Sequence, residues 1–215
     1  MKKISTHLFL LIILVSLSSI ANAQLVEISP YIGHRVGGKI NTDDPATGSL
    51  LVPNLDISNT AVFGLIADIN VSDKFQISIA ADRQSTELQE DPRDGNPEIK
   101  RFDLTVNYLQ GGVTIQHPNR PLTAFVSLLA GVAFLDPKQE FDNTMRGSGS
   151  LIAGGKFYFG ERFGVRLQTR VFSTSLGSDR DLFCSQNSED ETCYRLVDDT
   201  FMTQVDFSIG FTILF

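Results

Sequence analysis

Nine charged side chains recur on the polar parity of otherwise apolar runs: Glu27, Arg35, Asp68, Asp82, Asp103, Lys156, Arg166, Arg170 and Asp206. Charges of mixed sign can be taken out of water only when paired and hydrogen-bonded. The set therefore suits either a structural salt-bridge plug or a gated path, in which Arg166 and Arg170 exchange partners among Asp68, Asp103 and Asp206. Other reactive groups are few. His117 falls in a short turn and His34 lies on the apolar parity of its run, so no catalytic residue is assigned. Cys184 and Cys193 lie close together, and a disulfide is the default reading in an exported chain. That bridge would close a small ring worth about 2.5 to 3 kcal/mol in the chain-entropy model. No neighbouring His or second Cys pair completes a zinc site, and the acidic residues Asp179, Asp181, Glu189, Asp190, Glu191, Asp198 and Asp199 lack calcium-loop spacing. No metal and no cofactor is expected.

The elements that hold these charges alternate with period two. In the last fifteen residues, Phe201, Val205, Phe207, Ile209, Phe211, Ile213 and Phe215 share one parity, against Gln204, Asp206, Ser208 and Thr212 on the other. Successive side chains of a strand point to opposite faces, so this is a strand with one apolar face. Seven further runs behave alike, giving strand cores near 25–36, 60–71, 75–85, 102–115, 122–135, 150–159, 163–174 and 201–215. In the fourth run the parity slips across Gln110, Gly111 and Gly112, as a β-bulge would make it do. Most runs have the roughly 9 to 11 residues that a tilted strand needs to cross a bilayer. The joins alternate too: short pieces at 72–74, 116–121 and 160–162, long ones at 37–59, 86–101, 136–149 and 175–200. Backbone groups in hydrocarbon must all be paired, so a spanning sheet has to close. The expected fold is all-β, an eight-stranded antiparallel up-and-down transmembrane β-barrel, with the nine charges lining its lumen. Its aromatic girdle would use Phe75, Phe157, Phe159, Phe163 and Phe215 at the short-turn rim, with Phe102, Phe134 and Phe201 at the other.

The first residues read differently. Lys2 and Lys3 precede an apolar run from about Leu8 to Leu17, and Ala21, Asn22 and Ala23 precede Gln24. This is the layout of a secretory signal peptide, residues 1–23, leaving residues 24–215 as the barrel domain. Loss of two lysines moves the formal charge from -7 to -9. So acidic a chain is a poor partner for nucleic acid, which needs clustered Lys and Arg.

The leader, the eight-strand meander, the opening EISPYIGHRVGG and the terminal Phe215 together resemble the small OmpA/OmpX-type outer-membrane barrels, and more broadly the porin-like outer membrane beta-barrel domain proteins. The likeness spans the mature chain. It implies export through the Sec pathway to the bacterial outer membrane and contact with outer-membrane lipid. It also implies that the barrel-assembly machinery reads Phe207, Ile209, Phe211, Ile213 and Phe215. No OmpA-type periplasmic domain is expected after the last strand. The function it implies is porin-like or structural. The alternative is surface adhesion or capture of an extracellular ligand by the long loops, which commonly carry function on a rigid scaffold. A lipid A-modifying barrel enzyme is a remote third, since neither the His-x-Ser-Asn pattern of the deacylases nor the amphipathic amino-terminal helix of the palmitoyltransferases is present.

Overall fold

The structure, a computed structural model, describes residues 26–43, 54–90, 101–138, 143–177, 181–184, 193–196 and 200–215. The expected signal peptide lies outside them, as do most of the acidic residues of the last loop. Among the described residues there are twelve strands: β1 (Val26–Val36), β2 (Lys39–Asp43), β3 (Asn54–Ile57), β4 (Thr60–Ser72), β5 (Phe75–Glu90), β6 (Arg101–His117), β7 (Leu122–Pro137), β8 (Thr144–Tyr158), β9 (Phe163–Gly177), β10 (Asp181–Cys184), β11 (Cys193–Leu196) and β12 (Thr200–Leu214). Eight of them form staves, each hydrogen-bonded antiparallel to its neighbour in the order β1, β4, β5, β6, β7, β8, β9, β12. Pairing of β12 with β1 closes the ring. This is the expected eight-stranded up-and-down barrel, and six of its staves begin and end within three residues of the runs read from the sequence, whereas β5 ends five residues later than expected and β8 begins six residues earlier.

The alternation has the polarity of a membrane protein. Along β12, Phe201, Phe207, Ile209 and Phe211 are exposed, as is Phe215 just after it, whereas Gln204, Asp206, Ser208 and Thr212 are buried in the lumen. The same holds on β5, where Phe75, Ile77 and Ile79 face outward and Gln76, Ser78, Asp82 and Gln84 face inward. A continuous apolar exterior of this extent around a polar interior is stable only against hydrocarbon. At the short-turn end two of the expected girdle rings, Phe159 and Phe163, gather on Phe211, which the girdle reading did not include, with centroids 6.1 and 5.7 Å from it.

The remaining four strands continue the staves on the long-loop side. Gly37 and Gly38 carry positive φ (82° and 115°), conformations open to glycine, and turn the chain from β1 into β2. There β2 pairs with β3, β3 with β5, and β11 with both β2 and β10. Four strands that the sequence reading placed in loops thus raise one side of the wall beyond the barrel mouth.

One expectation fails in β6. Its register against β5 and β7 runs through Gln110, Gly111 and Gly112 without a shift, so no bulge is there. Irregularities occur instead between Asn70 and Ser72 and between Thr200 and Phe201. The slip in hydrophobic parity has another cause. β6 is 17 residues long, more than the roughly 9 to 11 that cross a bilayer, and its far end stands in water. There the apolar Leu104, Val106 and Tyr108 turn inward and Asp103 faces out. Gly112 serves a different need: a Cβ on it would lie 2.0 Å from the Leu128 carbonyl oxygen on β7, so only glycine lets the two backbones approach.

Candidate functional site

Eight of the nine charges named from the sequence meet in the lumen, where strand alternation points them inward and closure of the ring brings distant strands face to face. They form two tiers. The tier nearer the short turns is built on Asp68 and Lys156. The Lys156 ammonium uses its three donors on Glu27 Oε2 (2.6 Å), Asp68 Oδ2 (3.1 Å) and Gln76 Oε1 (3.1 Å). Arg166 Nη1 donates to Asp68 Oδ2 at 2.6 Å, and Ser78 Oγ to Asp68 Oδ1 at 2.5 Å. Tyr158 and Gln76 complete the shell of Glu27.

The second tier centres on Asp82. Arg35 Nη2 donates to Asp82 Oδ1 (2.7 Å) and Asp206 Oδ2 (3.0 Å), and Arg170 Nη1 to Asp82 Oδ2 (2.9 Å) and the Tyr31 hydroxyl (3.2 Å). Arg170 also donates to Ser150 and Gln110. With four carboxylates and four cations, the two tiers together are formally neutral. That balance is what allows eight charges to be buried at all.

Aromatic rings set the faces of these cations. Phe172 lies 4.0 Å from the Arg35 guanidinium carbon and 4.2 Å from that of Arg170, while Phe125 lies 4.2 Å from that of Arg166. Tyr31 packs where Gly64 and Gly210, its register partners on both sides, leave room: a Cβ on Gly64 would come within 2.3 Å of its ring. Phe125, Phe172 and Tyr31 were not singled out from the sequence. Their inward parity, shared with Ser127, Arg170 and Glu27 respectively, was the available signal.

Beyond the second tier, toward the long loops, the lumen turns mainly apolar, with Gln84, Thr174 and Gln204 hydrogen-bonded beside the Tyr108 hydroxyl. Ile57, Leu104, Val106, Tyr108, Ala133, Leu135, Phe172, Leu176 and Met202 pack into one buried cluster. Asp103, expected in the lumen, is not part of any tier. It lies outside, half-exposed and paired with Lys138 at 3.4 Å, because at its height the barrel exterior meets water and the interior is this cluster. It therefore cannot serve as an exchange partner for Arg166 or Arg170. Buried atoms in and beside the tiers that lack a protein partner include Arg35 Nε on β1, Arg166 Nη2 and Gln168 Nε2 on β9, and Asp206 Oδ1 and Ser208 Oγ on β12.

Of the other named residues, Phe207, Ile209, Phe211 and Phe215 line the exterior of β12, with Ile213 partly buried beside them. The backbone register sets Cys184 opposite Cys193 on β10 and β11. His34 and His117 are both exposed, on different staves.

A closed, outwardly apolar ring of eight antiparallel staves around a polar lumen defines the fold of the small outer-membrane β-barrels. Solved structures agree. The chain is similar to the outer membrane protein OprG from Pseudomonas aeruginosa, at a TM-score of 0.58 and 12% identity over 89% of this chain and 96% of that one. It is similar to the outer membrane protein AlkL in lipid bilayers, at 0.55 and 11% over 89% and 90%. It is also similar to the outer membrane protease OmpT from Escherichia coli, at 0.53 and 8% over 89% and 97%. No protein-family model matches the chain, and no curated protein does. Neighbours that include both a protease and proteins not described as enzymes share an architecture, and activity must be argued from the site.

Proposed function

We propose that the protein is an integral barrel of the bacterial outer membrane, non-enzymatic, with a closed lumen and a structural role, presenting its long loops to the outside. The observation that carries this reading is the filling of the lumen. Two neutral ion-pair tiers and the apolar cluster above them occupy successive levels of a barrel whose bore is just wide enough to be filled by side chains. Of the two sequence readings, the plug is favoured over the gate. The orientation follows from loop lengths, short turns being periplasmic and long loops extracellular. Export by the Sec route, insertion by the barrel-assembly machinery and annular contact with outer-membrane lipid complete the proposal. Vesicles carrying the folded protein should swell in small sugars no faster than empty vesicles; swelling well above that control would reject a closed lumen.

A second reading, binding of an extracellular ligand by the loops, is favoured by the raised wall of β2, β3, β10 and β11. Paired strands hold a loop surface in one shape, which loops alone do not. A Cys184 to Cys193 bridge would pin its outermost hairpin, since facing positions of antiparallel neighbours have Cα separations of about 4.5 to 5.5 Å, within disulfide range. Reduction should then leave the barrel folded and speed proteolysis within 181–196; unchanged cleavage would argue against the bridge.

A further inference from the structure

The apolar exterior is not of even height. On β7 the outward row stays apolar from Leu122 through Val126, Leu128 and Val132 to Phe134, twelve residues from its start. On β5 the outward row Phe75, Ile77, Ile79, Ala81 gives way at Arg83, eight residues from its start, and is followed by Ser85 and Glu87. On β6 it gives way beyond Leu109 at Asn107, the register partner of Arg83. A polar notch is thus cut into the belt, with Phe63 of β4 beside Arg83 on one side and Phe134 of β7 beside Asn107 on the other. Arg83 is exposed, and it forms no ion pair or hydrogen bond with another described residue. The nearest outward carboxylates of the two staves, Glu87 and Asp103, face each other four residues further from the membrane centre, and Asp103 is paired with Lys138.

Height makes the notch specific. Eight residues of tilted strand climb about 20 Å, and the apolar band of such barrels is about 25 Å tall. The stem of an arginine covers the remaining distance while lying on apolar surface, which brings the guanidinium to the headgroups of the leaflet on the long-loop side. We propose that Arg83, with the Asn107 amide beside it, binds a phosphate of the glycolipid that forms the outer leaflet. A guanidinium matches phosphate bidentately, and its strength grows where one side is hydrocarbon. The assignment rests on the outer-membrane reading above and adds to it a defined lipid site.

The test is retention of lipid by the whole barrel, reconstituted in phosphatidylcholine nanodiscs with lipid A or with its dephosphorylated form, and read by native mass spectrometry. The wild-type protein should retain the phosphorylated lipid at least several-fold better than the dephosphorylated one. Arg83→Gln should lose that discrimination with the barrel still folded, and Arg83→Lys should keep some of it. Equal retention of both lipids by the wild-type protein, or undiminished discrimination by Arg83→Gln, would overturn the site and show an arginine that is merely solvated. Failure of the wild-type chain to insert into any bilayer would overturn the membrane reading and this one with it.

Discussion

Asp68 accepts from Ser78, Lys156 and Arg166 at once and is fully buried. Removing its charge leaves Arg166 without a carboxylate and Lys156 with Glu27 alone, and breaking a buried pair in this way costs about 3 to 5 kcal/mol. Asp68→Asn should therefore lower the urea midpoint of the vesicle-inserted barrel sharply. Asp103→Asn removes a half-exposed pair at 3.4 Å and should change stability by no more than about 1 kcal/mol. If the two variants unfold alike, the division into inner and outer charges is wrong. Phe172 gives a third measure, since its ring faces two guanidinium groups. Phe172→Ala should cost about 3 to 5 kcal/mol, as large-to-small changes of buried aromatics do. Most of the charge network was legible because parity alone decides which side of a strand a residue faces. Asp103 was misread because parity says nothing about height: above the bilayer the preferences of the two faces invert. Phe172 and Phe125 were passed over because apolar residues were assigned outward, whereas the lumen needs rings to cover its cations.

At the scale of the strand, the glycines separate into those the packing requires and those it does not. Gly112 lies where a Cβ would meet the Leu128 carbonyl at 2.0 Å, while Gly147 on β8 has nothing within 4 Å of that position. Gly112→Ala should reduce the yield of folded, heat-modifiable barrel, because neither backbone can yield without breaking the β6 and β7 ladder. Gly147→Ala should be neutral or stabilise by about 0.5 to 1 kcal/mol, through lower entropy of the unfolded chain. Equal effects would show that the approach of β6 to β7 is not close. The eight staves were legible because each alternates over a full membrane crossing. The short strands β2, β3, β10 and β11, of four or five residues each, were not. Their formation depends on neighbours distant in sequence, Arg195 and Leu196 against Asp43 and Thr42 for example, and no local period announces it.

Across the whole molecule, the layout is that of a soluble protein turned inside out, with the polar network as core and the apolar surface as membrane contact. The ends of the lumen differ: charged and hydrogen-bonded toward the short turns, apolar toward the long loops. An ion entering from the loop side would first have to displace Leu104, Met202 and Leu176, and then break through both neutral tiers, which gain nothing by opening. The direct test is single-channel recording of the folded protein in planar bilayers, beside a variant with Arg166 and Arg170 replaced by Gln. A closed barrel predicts a flat baseline for the native protein at ordinary voltages, even where insertion is verified by heat-modified migration. Reproducible conductance steps from the native protein that shift in the variant would contradict it and establish the lumen as a path.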